Sequence, residues 1–559
     1  MSATAASRPG KGRHVLLAAL GNRKTGFMAL FGFASGLPFA LFLGSLYAWL
    51  SEAGVDLETM GVFSLIGLAY AFQFLWSPLL DRVDIPVMRR LGKRKQWIVL
   101  AQVLLGVILV TLSLLNPRDE LGWFSLLAAI GAFASATQDI VINAWRIDVA
   151  DEDAPLDMLS TVYQMGYRLA SLAGGALALI LAARIGWPET YLTMGVILLA
   201  IGLAGLFAPD AEASGPTAEQ MDALQALRRR GELAPKVRLR ALLIVGSLWA
   251  AALVTVITFM VLSMTSVPDE RPNPTVFIAT AGPLIVVATI VLPALIAGWL
   301  AVQQRRGRYV LTEDAHREDG SWPVLDQLYH ALLSPLVEFV GRMGWSLVLI
   351  LALVLTYRIC DAIWGTFAYP FYLGYLHYTN DEVAIASKFF GVGATVLGLA
   401  IGGGLLTVLG RMPTMLMGAV LAAVTNLLYA DLAVGGAHMA AFSKMVGLTS
   451  LIASLGGEPR LATLMATIGL ENLATGIAGA AYVAWLSSVV AKGYSAVQYA
   501  LLSSLTLLVG TLGRGALGKM IEQQGYYAMF IFVTWIGLIA VVLTALEWWR
   551  VSRRRAKDD

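Results

Sequence analysis

Residues 77–95 read Ser77-Pro78-Leu79-Leu80-Asp81-Arg82-Val83-Asp84-Ile85-Pro86-Val87-Met88-Arg89-Arg90-Leu91-Gly92-Lys93-Arg94-Lys95. An acid and a base close one apolar run; a turn glycine and a knot of bases open the next. The flanking runs, Thr59–Leu80 and Trp97–Leu115, each approach the roughly 20 residues a helix needs to cross a bilayer. Bases packed between two such runs stay on the cytoplasmic side of a membrane, so this one loop predicts helical spans and their direction.

The pattern repeats outward in both directions. Apolar runs occupy Thr25–Leu50, Gly122–Trp145, Leu156–Ala183 and Glu189–Phe207, then Ala241–Ser266 and Thr275–Val302. Ser346–Leu376, Val383–Leu409, Pro413–Leu432, Leu461–Val490, Ser495–Thr511 and Tyr526–Trp549 complete the set. The expectation is an all-α integral membrane protein with 14 spans, ordered six, two, six. Of its 559 residues 58% are hydrophobic and 14% charged, and the mean hydropathy is +0.71. Soluble chains carry about 25% charged residues, so an ordinary soluble enzyme, a disordered chain and a nucleic-acid binder are excluded. With the N-terminus placed in the cytoplasm, most of the 40 basic residues fall in inner segments, Arg146 among them just after the fourth span. The short run Val15–Leu20 ends in Asn22-Arg23-Lys24 and does not read as a cleaved signal peptide.

The division expected is a cytoplasmic tail at 1–24, a six-helix bundle at 25–208 and a cytoplasmic linker at 209–240. Two extra spans follow at 241–302, placed outside the twelve-helix core because they hold few ionisable residues, then a second linker at 303–343. The second bundle covers 344–550, with an interfacial helix near 437–456, and a cytoplasmic tail ends the chain at 551–559. Both linkers are expected to be partly helical, with an amphipathic stretch at Ala218–Arg230. A trace of duplication joins the halves: Ala134–Trp145 aligns without gaps on Ala474–Trp485, matching at Ala144 with Ala484 and Trp145 with Trp485.

The loop at 77–95 resembles the inner-loop signature of the major facilitator superfamily, with a longer spacing between Asp81 and Gly92 than the usual form. Asp81 there can pair with bases or accept from the N-terminus of a neighbouring helix, a latch that closes the inner face in one state. Asp81, Arg82, Gly92 and Arg94 are therefore gating candidates, as are Gly36 and Pro38, which loosen the first span near its middle. Further stretches resemble one branch, the AmpG-type muropeptide permeases: Phe33–Pro38, Ala48–Leu50, Glu52–Val55, Phe74–Pro78, Thr137–Val141, Gly166–Ala170, Asp361-Ala362 and Leu470–Leu473. The central spans and the linkers carry no such match, and Asn143 stands where that family's pattern has a second acid. The resemblance implies the major facilitator fold and proton-driven import of N-acetylglucosaminyl-1,6-anhydro-N-acetylmuramyl peptides across the bacterial inner membrane. It also implies a role in cell-wall recycling and antibiotic resistance, a multi-pass chain with both termini cytoplasmic, and no cofactor. A monomer is expected.

Ionisable groups in a span are costly, at about 2.5–3.5 kcal/mol or more, so they face a cavity or one another. Asp139 lies in span four with Gln138 beside it, and Asp139, Asn143 and Arg146 share a helix face. Span five offers Tyr163, Gln164, Tyr167 and Arg168; span nine offers Tyr357, Arg358, Asp361 and Trp364; span twelve offers Glu471 and Asn472. Arg358 and Asp361 are spaced to pair, and Arg168 is within reach of Asp139. For a substrate bearing carboxylates and sugars, the arginines supply planar forks and the aromatic stripe of span nine, from Tyr357 to Tyr375, supplies ring faces. The substrate-binding candidates are Gln138, Tyr163, Gln164, Arg168, Tyr357, Arg358, Trp364 and Asn472. Asp139, Asp361 and Glu471 are the proton-coupling candidates, with Asp139 first.

Other classes fare worse. The five histidines, His14, His316, His330, His377 and His438, all lie in tails or loops, which leaves a membrane-embedded transferase without a base. The lone Cys360 excludes an intrachain disulfide, and with no His/Cys cluster there is no metal site to propose. No Gly-x4-Gly-Lys-Ser/Thr loop occurs, so ATP is not the expected energy source. The alternative within the same class is a related permease for acetyl-coenzyme A or a peptide.

Overall fold

The computed structural model describes residues 21–55, 69–70, 72–210, 233–266, 270, 272–306, 308, 328–329, 332–360, 367–512 and 514–558. Among them there are helices and no sheet. The first half holds α1 (Arg23–Ala40), α2 (Leu46–Glu52), α3 (Ser77–Arg82), α4 (Lys95–Ser113), α5 (Leu121–Val149), α6 (Leu156–Leu172), α7 (Ala178–Ile185) and α8 (Trp187–Gly205). Then come α9 (Pro235–Thr265), α10 (Pro274–Val286), α11 (Leu292–Arg305) and α12 (Ser334–Met343). The second half holds α13 (Ser346–Thr356), α14 (Asn380–Ala384), α15 (Gly391–Val408), α16 (Arg411–Val424), α17 (Asn426–Ala433), α18 (Ala437–Met445), α19 (Leu448–Ser454), α20 (Pro459–Val489), α21 (Ser495–Leu512) and α22 (Arg514–Asp558). The last is broken at Gly525.

Eleven helices among the described residues are long and apolar enough to cross a membrane, or twelve if α12 and α13, bent by 105°, count as one. Half of the expected second span, Thr59–Leu80, lies outside the described residues, as do residues 361–366 of the expected ninth, Ser346–Leu376. Ala218–Arg230 also lies outside them. The second linker does contain a helix, α12, whose apolar side (Pro335, Leu336, Val337, Phe339) is buried.

Span four runs further than its apolar run implied. No breaker occurs until Ala150 turns to extended backbone, so α5 continues through Arg146, Ile147 and Asp148. Arg146 is therefore not a loop residue: it is fully buried inside the bundle. Positive-inside reasoning treats every base near a span end as a solvated anchor and cannot see such a residue.

Two helix pairs set the architecture. α1 packs on α6 and α15 packs on α20, and in each pair backbones nearly touch. A Cβ on Gly36 would stand 2.6 Å from the Tyr167 carbonyl oxygen, and one on Gly398 would stand 2.2 Å from that of Leu473. Small residues allow this approach, which in lipid replaces the hydrophobic drive for association. Past Pro38 the first span widens into a π turn at Leu41–Ser45, which lies against a second at Ala173–Leu177 through Ser45 Oγ donating to the Gly174 carbonyl. The halves meet where α6 contacts α15 and α20, and where α21 contacts α3 and α5. Trp145 and Trp485, the pair aligned in sequence, are both buried in the apolar core of this seam.

The two central spans form a hairpin. Trp249 Nε1 donates to the Thr289 carbonyl at 3.0 Å and so ties α9 to the π turn Val287–Val291 between α10 and α11. The hairpin lies against α21, and Trp249 meets the edge of Phe74 at 6.4 Å between centroids.

Candidate functional site

Helix α5 carries the central acid. Asp139 is half-buried, and one of its oxygens accepts from Ser35 Oγ of α1 and from Tyr163 Oη of α6, both at 2.6 Å. The two hydroxyls are 3.1 Å apart, so three helices converge on one carboxylate oxygen. One turn on, Asn143 Nδ2 donates to the Asp139 carbonyl at 2.8 Å and approaches Tyr163 Oη at 3.4 Å. Two turns on, the Arg146 guanidinium lies over the rings of Tyr163 (4.8 Å) and Tyr499 (5.2 Å), and its Nη2 donates to Ser487 Oγ at 2.9 Å. Among the described residues no ion pair joins Asp139 to Arg168, so the expected partner gives way to two hydroxyls.

Across the seam, Gln164 of α6 and Arg358, just past α13, approach one point. A Cβ on Gly479 of α20 would stand 3.5 Å from Gln164 Nε2 and 3.7 Å from Arg358 Nη1. The glycine leaves room there for two polar side chains from opposite halves. Farther along α20, Glu471 accepts from Asn472 Nδ2 at 2.8 Å and from Thr475 Oγ1 at 3.0 Å, while Asn472 Oδ1 accepts from Thr395 of α15 at 2.7 Å.

Two candidates point away from this space. Gln138 is fully buried and donates to the Ala34 carbonyl of α1 at 2.6 Å, which makes it a clamp between helices. Tyr357 donates to the Met415 carbonyl at 2.8 Å and stacks on Tyr482, so it packs inside the second half. The aromatic stripe divides likewise: Phe371 and Tyr372 join a core with Tyr429 and Phe530 and do not form a sugar platform. Asp361 and Trp364 lie outside the described residues.

Two of the gating candidates, Asp81 and Arg94, meet in one buried cluster, while Gly36 and Pro38 lie apart from it in α1. Arg94, 4% exposed, pairs with Asp81 at 2.7 Å and with Asp148 at 2.7 Å. Its Nη2 also donates to Ser495 Oγ at 2.8 Å, and that hydroxyl donates to Asp148 at 2.9 Å. The other Asp81 oxygen accepts from the backbone N–H of Val497 at 3.1 Å, in the first turn of α21. Asp81 thus both pairs with a base and caps the positive end of a helix from the other half, the two roles its position in the loop predicts. Arg82 rests over the Tyr494 ring, and Gly92 takes a φ of +81°, which only glycine adopts without strain, turning the chain into α4. Lys492 donates to the Ala150 carbonyl at 3.1 Å and Arg411 pairs with Asp157 at 2.8 Å, so this end of the seam is tied at several points. Asp148, Ser495 and Asp157 were not legible as site residues, because each is an ordinary helix-end residue until the halves are brought together.

The sequence model described as Major Facilitator Superfamily matches residues 26–313. The chain belongs to the major facilitator superfamily. Membership makes it a membrane transporter and not an enzyme, and its curated relatives are of the AmpG type. It is 28% identical over 538 residues to the "Anhydromuropeptide permease" of Escherichia coli (strain K12), covering 95% of this chain and 82% of that one. It is 25% identical to the "Putative transporter AmpG 4" of Rickettsia conorii, covering 92% and 94%. Among solved structures, the human organic anion transporter MFSD10 superposes with a TM-score of 0.53 at 13% identity, over 93% of this chain and 99% of the other. A double-tryptophan mutant of XylE gives 0.52 at 12% identity, over 94% of both chains. These superpositions show the facilitator fold.

Proposed function

We propose that this facilitator imports anhydromuropeptides from periplasm to cytoplasm by proton symport with alternating access. On this reading it crosses the bacterial inner membrane 14 times, as a monomer with both termini cytoplasmic. The observation that carries it is the stacking of two polar centres along one seam: Asp139 held by two hydroxyls, and below it the closed Arg94 latch. Asp139 precedes Asp148 by nine residues, about 13 Å along a helix. A carboxylate so placed faces the space between the halves while the latch end is shut. Protonating Asp139 removes its charge and weakens the charge-assisted bonds from both hydroxyls, so protonation is sensed by α1 and α6. Gln164 and Arg358 converge at Gly479 with groups suited to a stem-peptide carboxylate. Arg168 and Asn472 are assigned to the same substrate path, with Glu471 as a further carboxylate; Asp361 remains a coupling candidate from the sequence alone. The names of the relatives supply the solute.

The test is uptake of labelled anhydromuropeptide into vesicles holding the purified chain. Accumulation that requires an inward proton gradient supports the reading. Equal uptake with the gradient collapsed removes symport, and no uptake in either condition removes the solute.

A further inference from the structure

Arg146 is the most deeply buried base among the described residues, and the reading above leaves it without work. Its side chain is fully buried, and a guanidinium does not give up its proton. Its Nε and Nη1 groups have no hydrogen-bond acceptor. Among the described residues it has no carboxylate partner: its neighbours are the Ser487 hydroxyl, the Tyr163 ring, and Tyr499 by both ring and hydroxyl. The Asn143 side-chain oxygen, one turn away on the same helix, is likewise buried without a donor. Buried charges are normally paired, and a buried group left unsatisfied calls for an explanation in what the protein binds.

The position narrows the explanation. Arg146 reaches from α5 to Ser487 of α20 and Tyr499 of α21, so it spans the seam between the halves. It lies seven residues below Asp139, about 10 Å along the helix, and Tyr163 touches both, its hydroxyl on Asp139 and its ring on Arg146. The missing counter-charge is thus an anion that enters between the halves.

We propose that Arg146 is the docking cation for a carboxylate of the transported solute, and that taking up this carboxylate releases its hold on Ser487 and Tyr499. This rests on the reading that a carboxylate-bearing solute occupies the central space. The solute enters above, near Gln164, Arg358 and Asp139. Its carboxylate draws the guanidinium away from the second half, and an inter-half hydrogen bond and a ring contact break together just above the Arg94 latch. Binding thereby loosens the end that must open. The role is one of specificity as well: an uncharged solute leaves Arg146 where it is.

The experiment measures binding of an anhydromuramyl tripeptide and of the same compound with its stem carboxylates converted to amides. The unaltered protein and Arg146→Gln are compared, with their melting temperatures recorded in ligand-free detergent. The unaltered protein is expected to prefer the acid at least about tenfold, and Arg146→Gln to lose most of that preference, keeping only the share that Arg358 supplies, with its affinity for the amide unchanged. Arg146→Gln should melt no lower than the unaltered protein, because the substitution removes a charge without a counter-ion. The proposal is overturned if Arg146→Gln keeps the preference, or if it loses affinity for both forms and melts lower, as a purely structural residue would. If the unaltered protein binds neither compound, the muropeptide reading fails instead, and a panel of acidic tripeptides decides the matter for Arg146. Stabilisation by an acidic tripeptide that Arg146→Gln abolishes sustains the docking role; none, or the same in both proteins, ends it.

Discussion

Asp139 and the hydroxyls upon it form the smallest unit to which the proposed coupling is assigned. Replacing Tyr163 with Phe keeps the ring over Arg146 but removes a hydrogen bond to a carboxylate, worth about 1.5–3 kcal/mol in general. If that bond helps set the coupling acid, Tyr163→Phe should slow gradient-driven uptake by about tenfold or more, with folded protein at normal levels. Uptake within twofold of normal would make the bond incidental. Asp139→Asn should abolish accumulation against a gradient and spare counterflow exchange between preloaded vesicles. Continued accumulation would pass the coupling role to Glu471 or Asp361. The convergence on Asp139 was half legible. Asp139, Tyr163 and Asn143 are polar groups in apolar runs and stand out at once. Ser35 does not, since a serine in a span usually bonds back to its own helix, and only the packing of α1 turns it toward the acid.

At the scale of elements, the close pairs α1–α6 and α15–α20 set the fit of each half. Gly36→Val would drive a branched side chain into the Tyr167 carbonyl, where even a Cβ stands 2.6 Å away. Overpacking of this kind costs about 1–3 kcal/mol, and here the rigid backbone opposite makes the upper end the expectation. A drop in melting temperature in detergent measures it, and an unchanged melt would show that the two helices can part without loss. The long apolar helices were readable from hydropathy because lipid leaves the backbone no alternative to a helix. The end of α5 was not, since the run stops at Trp145 while the helix continues through a buried base and an acid of the latch.

Across the whole molecule, the proposed gating makes the latch a switch whose worth differs between two states. Removing one partner of a buried ion pair costs about 3–5 kcal/mol when the other charge stays buried, and much less where water can reach it. Arg94→Ala should therefore penalise the closed state selectively, leaving Asp81 and Asp148 uncompensated, and shift the population toward opening by about a hundredfold or more. Spin labels on the exposed Glu152 and Val408, close in sequence to the tie between Asp157 and Arg411, should report a longer mean distance in the variant. An unaltered distance distribution would show that the remaining ties, Arg411 with Asp157 and Lys492 with Ala150, hold the seam without it. Asp81 and Arg94 could be singled out from one loop, whereas the α21 N-terminus that completes the latch lies about 400 residues away and enters only through the fold.

The hairpin of α9 to α11 bears on the medium around the protein. It touches Phe74 of the first half through Trp249 and lies along α21 of the second, so it straddles the line on which the proposed alternating access rocks the halves. When they rock, it must slide on one side or bend, and its outer surface, with Leu243, Val254 and Leu295 turned outward, must displace hydrocarbon as it does so. Part of the work of each cycle is then done on acyl chains. A stiffer or thicker bilayer would slow such a carrier without touching its affinity for solute, which makes its turnover a function of lipid elasticity.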